Sequence, residues 1–283
     1  MIGMQKSIDW LALWRELSEI QESVFKASGE KDGDDIWKKR AKHFDSEIKR
    51  RWATPDSSRE FVISQLKANP GYSVLDIGGG TGAWACLMAR HARHVTVVEP
   101  SPAMSGIMRQ KLAESNIRNV EIIEAEWPEV KVVQHDLVFC SHAMYGFRDF
   151  EAFVRSLEAV SRHLCILILR APDPGDLMSI AATHIRGYPY DSPDYQVALN
   201  ALLQLGIFPN VLMEDTGLWD PWTSPSLEEA LAEAKRRLRL PEKSEYDEYL
   251  RDLLEQNLVP DAGKLVWPKG IRSALVYWDV HQK

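Results

Sequence analysis

A glycine-rich segment carries the clearest chemical signal in this sequence. The mostly apolar residues 74–77 lead into Gly78, Gly79, Gly80 and Gly82, and a helical pattern begins directly after them. Glycines at the end of a strand permit positive φ angles and let backbone N–H groups approach a ligand closely, while the following helix presents its N-terminus to negative charge. The segment therefore predicts a site for a nucleotide or nucleoside.

Asp76 helps to choose between two classes of ligand for this loop. Gly78, Gly80 and Ala83 also satisfy the G-x-G-x-x-G/A pattern of dinucleotide sites, so the glycines alone fit either class. An acid beside a pyrophosphate would repel it, whereas an acid beside an ammonium group attracts it. We therefore predict a nucleoside that carries an amino acid. The alternative is a structural role, in which Asp76 accepts hydrogen bonds from loop N–H groups.

Glu99 is the second acid expected at the ligand. It ends the second predicted strand, about 21 residues after Gly78, where the chain returns beside the first strand. A carboxylate there can accept hydrogen bonds from both hydroxyls of a ribose. Pro100 stops the strand, so we expect Glu99 to face the crevice at the carboxyl edge of the sheet. The alternative is a solvated loop acid.

The elements that position these residues alternate between short apolar runs and helical stretches, a pattern typical of a parallel sheet with crossover helices. The predicted strands are residues 73–77, 94–98, 120–123, 136–140, 165–169, 210–215 and 273–280. The predicted helices between the first five strands are residues 83–91, 104–115 and 150–160. The sequence thus predicts an α/β fold with seven strands.

Helical additions are predicted on both sides of this core. Helices at about residues 10–25, around Trp37 to Ile48 and at 57–68 precede the first strand, so residues 1–56 are interpreted as an N-terminal helical cap and residues 57–283 as the α/β domain. Insertions are predicted at about 172–208 and 217–270, the second holding a charged helical stretch from about 226 to 258. The first insertion offers Arg186 and Tyr195 to a substrate pocket.

These residues resemble the class I S-adenosylmethionine-dependent methyltransferase family, whose D-x-G-x-G-x-G motif stands here as Asp76, Gly78, Gly80 and Gly82, followed by the acid Glu99. The resemblance implies S-adenosylmethionine as cofactor. It also implies a Rossmann-like, doubly wound, seven-stranded sheet that is mostly parallel with an antiparallel last strand and carries helical caps.

Further segments extend the resemblance. Residues 124–128 resemble the loop that flanks the adenine, which implies Glu126 and Trp127 as cofactor residues, although Glu124 and Ala125 depart from the family's commoner glycine and aspartate. Residues 36–45 are similar to the short helix that folds over the cofactor, with Trp37 and Phe44 closing the pocket. Apolar packing is the alternative for Trp127, and an ordinary apolar stripe is the alternative for the other two aromatics.

His142 and Tyr145 are the candidate catalytic residues. They follow the fourth strand near the expected sulfonium, where either can hydrogen-bond or deprotonate an acceptor, or merely line the pocket. Methyl transfer from a sulfonium is an in-line displacement of an activated leaving group, so the protein chiefly positions and desolvates the nucleophile. The turn at residues 141–144 lacks the Asn/Asp-Pro-Pro-aromatic signature of base and amide N-methyltransferases, which argues against DNA as acceptor.

Composition narrows the class of protein. A net charge of −7 argues against a surface for duplex DNA. Cys86, Cys140 and Cys165 lack metal-ligand spacing, so no metal site is predicted. Without an apolar run of about 18 residues or an N-terminal leader pattern, we expect a cytoplasmic protein without a membrane partner. The oligomeric state is left open.

The sequence therefore predicts transfer of a methyl group from S-adenosylmethionine to a small-molecule acceptor. Three alternatives remain. One is a protein that binds S-adenosylmethionine without catalysis. Another is an RNA methyltransferase that uses the basic residues 38–42 as phosphate contacts. The third is an NAD(P)-dependent oxidoreductase, which the acid at Asp76 disfavours.

Overall fold

A seven-stranded sheet forms the centre of the structure, a computed structural model that describes residues 8–27, 35, 37–173, 175–214, 220–268 and 271–281, with the backbone alone for residues 20–27. The described strands are β1 (Ser73–Ile77), β2 (His94–Val98), β3 (Val120–Ile123), β4 (His135–Ser141), β5 (Ser161–Ala171), β6 (Asn210–Met213), β7 (Thr223–Ser224), β8 (Val259–Asp261), β9 (Lys264–Val266) and β10 (Arg272–Asp279). The large sheet has the order β3-β2-β1-β4-β5-β10-β6.

The described helices precede β1 or lie between the later strands. They are α1 (Trp10–Ala27), α2 (Ala41–Arg51), α3 (Ser57–Ala68), α4 (Ala83–Met88), α5 (Pro102–Glu114), α6 (Phe150–Val160), α7 (Leu177–Arg186), α8 (Tyr195–Gln204), α9 (Leu227–Arg237) and α10 (Asp247–Asn257), with a 3-10 turn at Met144–Gly146. Strands β1 to β5 run parallel to one another, and β10 runs antiparallel between β5 and β6. The predicted Rossmann-like sheet with an antiparallel last strand is therefore confirmed.

Neighbouring residues of the central strands pack on opposite faces of the sheet. In β4, Leu137 and Phe139 join an apolar cluster that contains residues of α3, α4 and α5, whereas Val138 and Cys140 join a cluster with residues of α1, α6 and α8. Because both faces of the sheet are covered, the central strands read as continuous apolar runs rather than alternating ones. This is the doubly wound arrangement that the sequence predicts.

The C-terminal insertion differs from its prediction. The single charged helical stretch predicted at about 226–258 is two helices, α9 and α10, because the chain turns between them, with Arg239 at a φ of 49° and Pro241 two residues later. The two helices pack with α7 in a third apolar cluster. A small antiparallel sheet of β7, β9 and β8 lies in the same region. It was not predicted from the sequence, because its strands are only two or three residues long.

The N-terminal helices match the prediction in part. Helix α3 begins and ends at the predicted residues, and Asp56 caps it by accepting a hydrogen bond from the Arg59 backbone N–H at 2.7 Å. Trp37 was predicted inside the second helix but lies in a turn, because α2 begins only at Ala41. Of the described helices, none is long and apolar enough to cross a membrane.

Candidate functional site

The glycine loop connects β1 to α4 in a conformation that requires glycine. Gly78, Gly80 and Gly82 have φ angles of 70°, 56° and 80°. A Cβ atom on Gly78 would lie 2.2 Å from the Cβ of Ala143, and one on Gly82 would lie 2.3 Å from the Cγ of Met108. The loop therefore combines left-handed backbone with close contacts to the segment after β4 and to α5. These contacts bring the three predicted glycines into one compact turn.

Asp76 lies directly beneath this loop. Its side chain is 1% exposed, and its Oδ2 atom has no hydrogen-bond partner among the residues that the structure describes. Burial, together with the nearby Glu99 carboxylate, raises the pKa of Asp76 from an ordinary 3.8 to about 8. A buried acceptor without a partner is costly, so this carboxyl favours a ligand that brings a cation or a hydrogen-bond donor.

Glu99 ties the end of β2 to the same loop. Its Oε2 accepts a hydrogen bond from the Gly80 N–H at 2.8 Å, and its Oε1 accepts one from the Ser101 N–H at 2.9 Å. The side chain is only 5% exposed, so the alternative of a solvated loop acid is wrong. Burial raises the pKa of Glu99, and the two backbone hydrogen bonds oppose that rise. Each carboxylate oxygen keeps a further lone pair for a ligand hydroxyl.

Helix α2 covers the outer side of the glycine loop. The Cε1 atom of Phe44 is the nearest atom, at 3.8 Å, to the position that a Cβ on Gly80 would take. The ring of Trp37 packs against Phe44 with centroids 5.4 Å apart. The two predicted lid aromatics therefore lie together, with Phe44 against the loop.

Polar contacts connect α2 and the residues before it to α5, to the glycine loop and to the segment after β2. Asp45 of α2 pairs with Lys111 of α5, whose Nζ also lies 3.3 Å from the Thr81 hydroxyl of the loop. Ahead of α2, Asp35 accepts hydrogen bonds from the Trp37 N–H at 3.0 Å and from the Ser101 hydroxyl at 2.8 Å. The sequence analysis did not single out Asp35, Asp45 or Lys111, because only the fold brings them together.

The predicted adenine loop separates into a core residue and an exposed one. Trp127 is 8% exposed, belongs to the apolar cluster on the α6 side of the sheet, and donates its indole N–H to the Ser156 hydroxyl at 2.9 Å. This placement favours the packing alternative for Trp127. Glu126 is exposed, while Glu124 is held 2.6 Å from Arg109 of α5. Contact of Glu126 or Trp127 with an adenine ring stays a prediction.

His142 and Tyr145 lie together after β4, as the sequence order requires. The His142 Nδ1 is 3.0 Å from the Tyr145 hydroxyl, and its Nε2 is 3.1 Å from the hydroxyl of Ser273 in β10. Tyr145 also accepts the Arg170 backbone N–H at 2.7 Å, so its own O–H is directed to Nδ1 and places the imidazole proton on Nε2. Burial, then Arg51 and Arg170, lower the pKa of His142 to about 3. The imidazole is therefore neutral at physiological pH.

A cavity of about 270 Å³ opens beside His142. It lies at the carboxyl edge of the sheet between the end of α2, the ends of β4 and β5, and the start of β10. Its lining residues are Glu47, Arg51, His142, Arg170, Asp220, Trp222 and Ile271. Ala143, the residue after His142, lies against Gly78 of the glycine loop, so one short segment connects the cavity to the predicted cofactor site.

Two arginines of this cavity are held by buried acids. Arg51 lies 2.5 Å from Glu214 and 3.0 Å from the Ser273 hydroxyl, and Arg170 lies 3.1 Å from Asp191. The sequence analysis missed them, because nothing in the local pattern distinguishes these arginines from surface ones.

Arg186, which the sequence analysis offered to the substrate pocket, instead donates a hydrogen bond to the Leu238 carbonyl at 2.9 Å. Neither Arg186 nor Tyr195 is among the residues that line the cavity. Helix α7 directs Arg186 toward the C-terminal insertion, where α9 ends. A pocket role for this arginine stays a prediction, and the structure gives it a contact with the end of α9.

Comparison with known proteins points to one kind of domain. Residues 74–165 match the family model described as a methyltransferase domain. Among curated relatives, protein-L-isoaspartate O-methyltransferase 2 of Rhodopseudomonas palustris is 37% identical over 70 residues, which are 23% of this chain and 32% of the relative. A probable cobalt-precorrin-6B C(15)-methyltransferase of Sulfolobus acidocaldarius is 35% identical over 80 residues, covering 27% of this chain and 42% of the relative.

The matches to curated relatives are partial, since the chain spans about a third to somewhat under half of their length. Among solved structures, the YcgJ protein of Bacillus subtilis has 15% sequence identity and a TM-score of 0.50, with 78% of this chain and 96% of that chain covered. This likeness supports the fold.

Proposed function

We propose that this chain, whose residues 74–165 match the methyltransferase domain model, is a class I S-adenosylmethionine-dependent methyltransferase that transfers a methyl group to a small-molecule acceptor. The observation that carries the proposal is Asp76, a buried carboxyl without a partner for Oδ2 among the described residues, beneath a glycine loop. S-adenosylmethionine carries an ammonium group, which can meet this carboxyl, and no pyrophosphate for it to repel.

The remaining cofactor contacts follow from the loop geometry. The backbone of Gly78, Gly80 and Gly82 leaves room for the ligand at the end of β1, and Glu99 accepts the ribose hydroxyls while bracing the loop through Gly80. Phe44, backed by Trp37, covers the loop from outside. Glu126 and Trp127 complete the proposed set near the adenine.

His142 and Tyr145 shape the reaction centre. The bound cofactor would supply an electrophilic methyl group on a sulfonium. Burial lowers the pKa of His142 to about 3, so its imidazole is a weak base. Because hydrogen bonds to Tyr145 and Ser273 fix the ring, it positions the acceptor instead. Burial raises the pKa of Tyr145, so its phenol keeps its proton and serves as a hydrogen-bond donor.

The wider setting is proposed from composition and packing. A net charge of −7 supports a small molecule rather than DNA as acceptor, and a cytoplasmic location remains part of the proposal. The proposed division is a cap at residues 1–56 and an α/β domain at 57–283, and the ion pair of Asp45 in α2 with Lys111 in α5 supports the covering role of the cap. The proposed insertions at about 172–208 and 217–270 contain the helices of the third apolar cluster.

Calorimetric titration tests the cofactor directly. The protein is titrated with S-adenosylmethionine, S-adenosylhomocysteine, NAD and NADP in one buffer, and methyl transfer is then followed as formation of S-adenosylhomocysteine with candidate acceptors. Micromolar binding of the two sulfur nucleosides alone is expected. Binding of a nicotinamide nucleotide instead would contradict the proposal and favour an oxidoreductase, whereas binding without turnover on any acceptor would favour a protein without catalysis.

A further inference from the structure

We propose that the methyl acceptor carries an anionic group, a carboxylate or a phosphate, that binds between Arg51 and Arg170 in the cavity beside His142. This inference rests on the proposed function, because it assigns the second substrate of the same site. The cavity lies in the right place: Ala143 touches Gly78 of the cofactor loop, and His142, one residue earlier, lines the cavity. A group held there lies next to the expected methyl donor.

The buried arginines around this cavity are paired with acids in an uneven way. Arg170 and Arg237 share a single carboxylate, that of Asp191, while Arg51 pairs with Glu214. Among the described residues, two guanidinium groups thus share the carboxylate of Asp191. Although burial alone would raise it, the two arginines hold the pKa of Asp191 below its ordinary value. An anionic ligand at Arg170 would give this pair of guanidinium groups a second acceptor.

Four other acids lie near enough to be weighed. Asp176 and Asp194 cap the helices α7 and α8, and burial raises the pKa of both, that of Asp194 to about 6. Each uses its carboxylate to accept backbone N–H groups of the helix that it caps. At the mouth of the cavity, Glu47 is more than a third exposed and Asp220 pairs with Arg50 at 2.9 Å. Solvent and pairing reduce the repulsion that these two exert on an anion.

The Nε of Arg170 is a further hydrogen-bond donor at this cavity. Its terminal nitrogen bonds Asp191 and Ser192, but its buried Nε has no hydrogen-bond partner within the described part of the chain. A guanidinium offers two parallel N–H groups to a carboxylate or phosphate, and an unsatisfied buried donor costs free energy until a ligand fills it. Arg170 is therefore suited to take one further oxygen.

The rest of the cavity suits a small apolar body. Trp222 and Ile271 form part of its wall, and Arg237 lies over the Trp222 ring at 4.0 Å, which fixes the indole in place. A volume of about 270 Å³ is at the lower end for small-molecule sites. The geometry thus favours a compact acceptor with an apolar or aromatic part at Trp222 and an anionic group at the arginines.

Calorimetric titration with four small probes tests this inference. Benzoate and phenyl phosphate supply the two anions, and benzamide and phenol are their neutral counterparts. Each is titrated into the protein with and without saturating S-adenosylhomocysteine. We expect at least one anion to bind tenfold or more tightly than its neutral counterpart, and the better of the two identifies carboxylate or phosphate. Equal binding of anion and neutral probe, or no binding of any probe, would overturn the inference.

Variants locate the anion. Arg170→Gln should reduce anion binding at least tenfold while leaving the affinity for S-adenosylhomocysteine within about twofold. Arg236→Gln, which removes an exposed arginine of α9 that pairs with Glu233, is the matched control and should change neither. An equal loss in both variants would contradict the assignment. If Arg170→Gln does not fold, the preference of the wild-type protein for anions still decides the matter.

The two proposals fail separately. If S-adenosylhomocysteine does not bind, the proposed function is refuted, while the titrations without it still report on the anion site. If S-adenosylhomocysteine binds and the anions show no preference over their neutral counterparts, only the acceptor class is wrong.

Discussion

Buried charge is arranged differently at the two ends of the proposed site. At the glycine loop, Asp76 and Glu99 lie within the same buried region, and neither forms an ion pair among the described residues. At the cavity, Asp191 and Glu214 are equally buried but each contacts arginine. The loop is therefore completed by a cationic ligand, whereas the cavity holds most of its counter-charges within the protein.

The paired acids of the cavity therefore stabilise the fold, whereas the unpaired acids of the glycine loop serve ligand binding. A paired buried carboxylate is stable until its partner is removed, while an unpaired one destabilises the protein until a ligand arrives. Neutralising an acid should consequently have opposite effects on stability at the two ends.

The largest effect is expected at the paired end. Asp191→Asn leaves Arg170 and Arg237 without their shared carboxylate, so the free energy of unfolding should fall by about 3–5 kcal/mol. Urea denaturation at pH 7.5 measures it. Asp261→Asn, an exposed aspartate in β8, is the control and should change little. A loss at Asp191 no greater than at Asp261 would show that the arginines do not need this acid.

Asp76→Asn should produce the opposite sign for stability. The pKa of Asp76 is raised from 3.8 to about 8, so the stability that its proton provides is fully present below about pH 4 and is lost as the pH rises through 8. At pH 8 the asparagine variant should therefore be the more stable of the two proteins. It should also bind S-adenosylhomocysteine about 10–100-fold more weakly, through loss of a charged contact.

Thermal denaturation between pH 5 and 8.5 follows this change. The wild-type protein should lose more stability than Asp76→Asn over that range, so the two curves should diverge as the pH rises. Parallel curves would mean that Asp76 is ionised in the folded protein throughout. That result would contradict the expected opposite effects on stability at the two ends of the site.

A smaller effect is expected for Glu99→Gln. The amide can still accept one hydrogen bond, from either Gly80 or Ser101, but it loses the charge and replaces the other acceptor by a donor. Binding of S-adenosylhomocysteine should weaken about tenfold. Calorimetry at pH 7.5 measures the change. A wild-type affinity would remove Glu99 from the proposed cofactor contacts.

The smallest effect concerns His142 and the pH dependence of the reaction. Since burial and the two cavity arginines lower its pKa to about 3, the imidazole stays neutral across the physiological range. The pH profile of the methyl-transfer rate should therefore have the same shape near pH 6.5 in the wild-type protein and in His142→Asn. An ionisation step near pH 6.5 that the wild-type profile has and the variant lacks would show that His142 titrates normally and acts as a base.

The fold was predictable because its signals are local. Strands β1, β2 and β3 begin and end at the predicted residues, since each is an apolar run bounded by turn residues. The glycine loop and both acids were found because their spacing forms a motif. By contrast, β7, β8 and β9 are too short to show a period, and Pro241 was not interpreted as the break between α9 and α10.

The acceptor side of the site was not predictable in the same way. Arg51 ends α2, Arg170 lies in β5, and their acids Glu214 and Asp191 stand 163 and 21 positions away in the chain. The antiparallel pairing of β10 with β5 sets Ser273 opposite Arg170, and the Glu214 N–H donates to the Ser273 carbonyl at 3.0 Å. No local pattern reports such a contact, so these residues require the three-dimensional structure.

The most direct test of the account measures protons released when the ligand binds. The wild-type protein and Asp76→Asn are titrated with S-adenosylhomocysteine at pH 7 in two buffers that differ in ionisation enthalpy. With a pKa of about 8, Asp76 is largely protonated before binding, and the ligand ammonium should drive its ionisation. We predict that the wild-type protein releases up to about one proton more than the variant. Equal proton release in both proteins would contradict the claim that Asp76 receives the ligand cation.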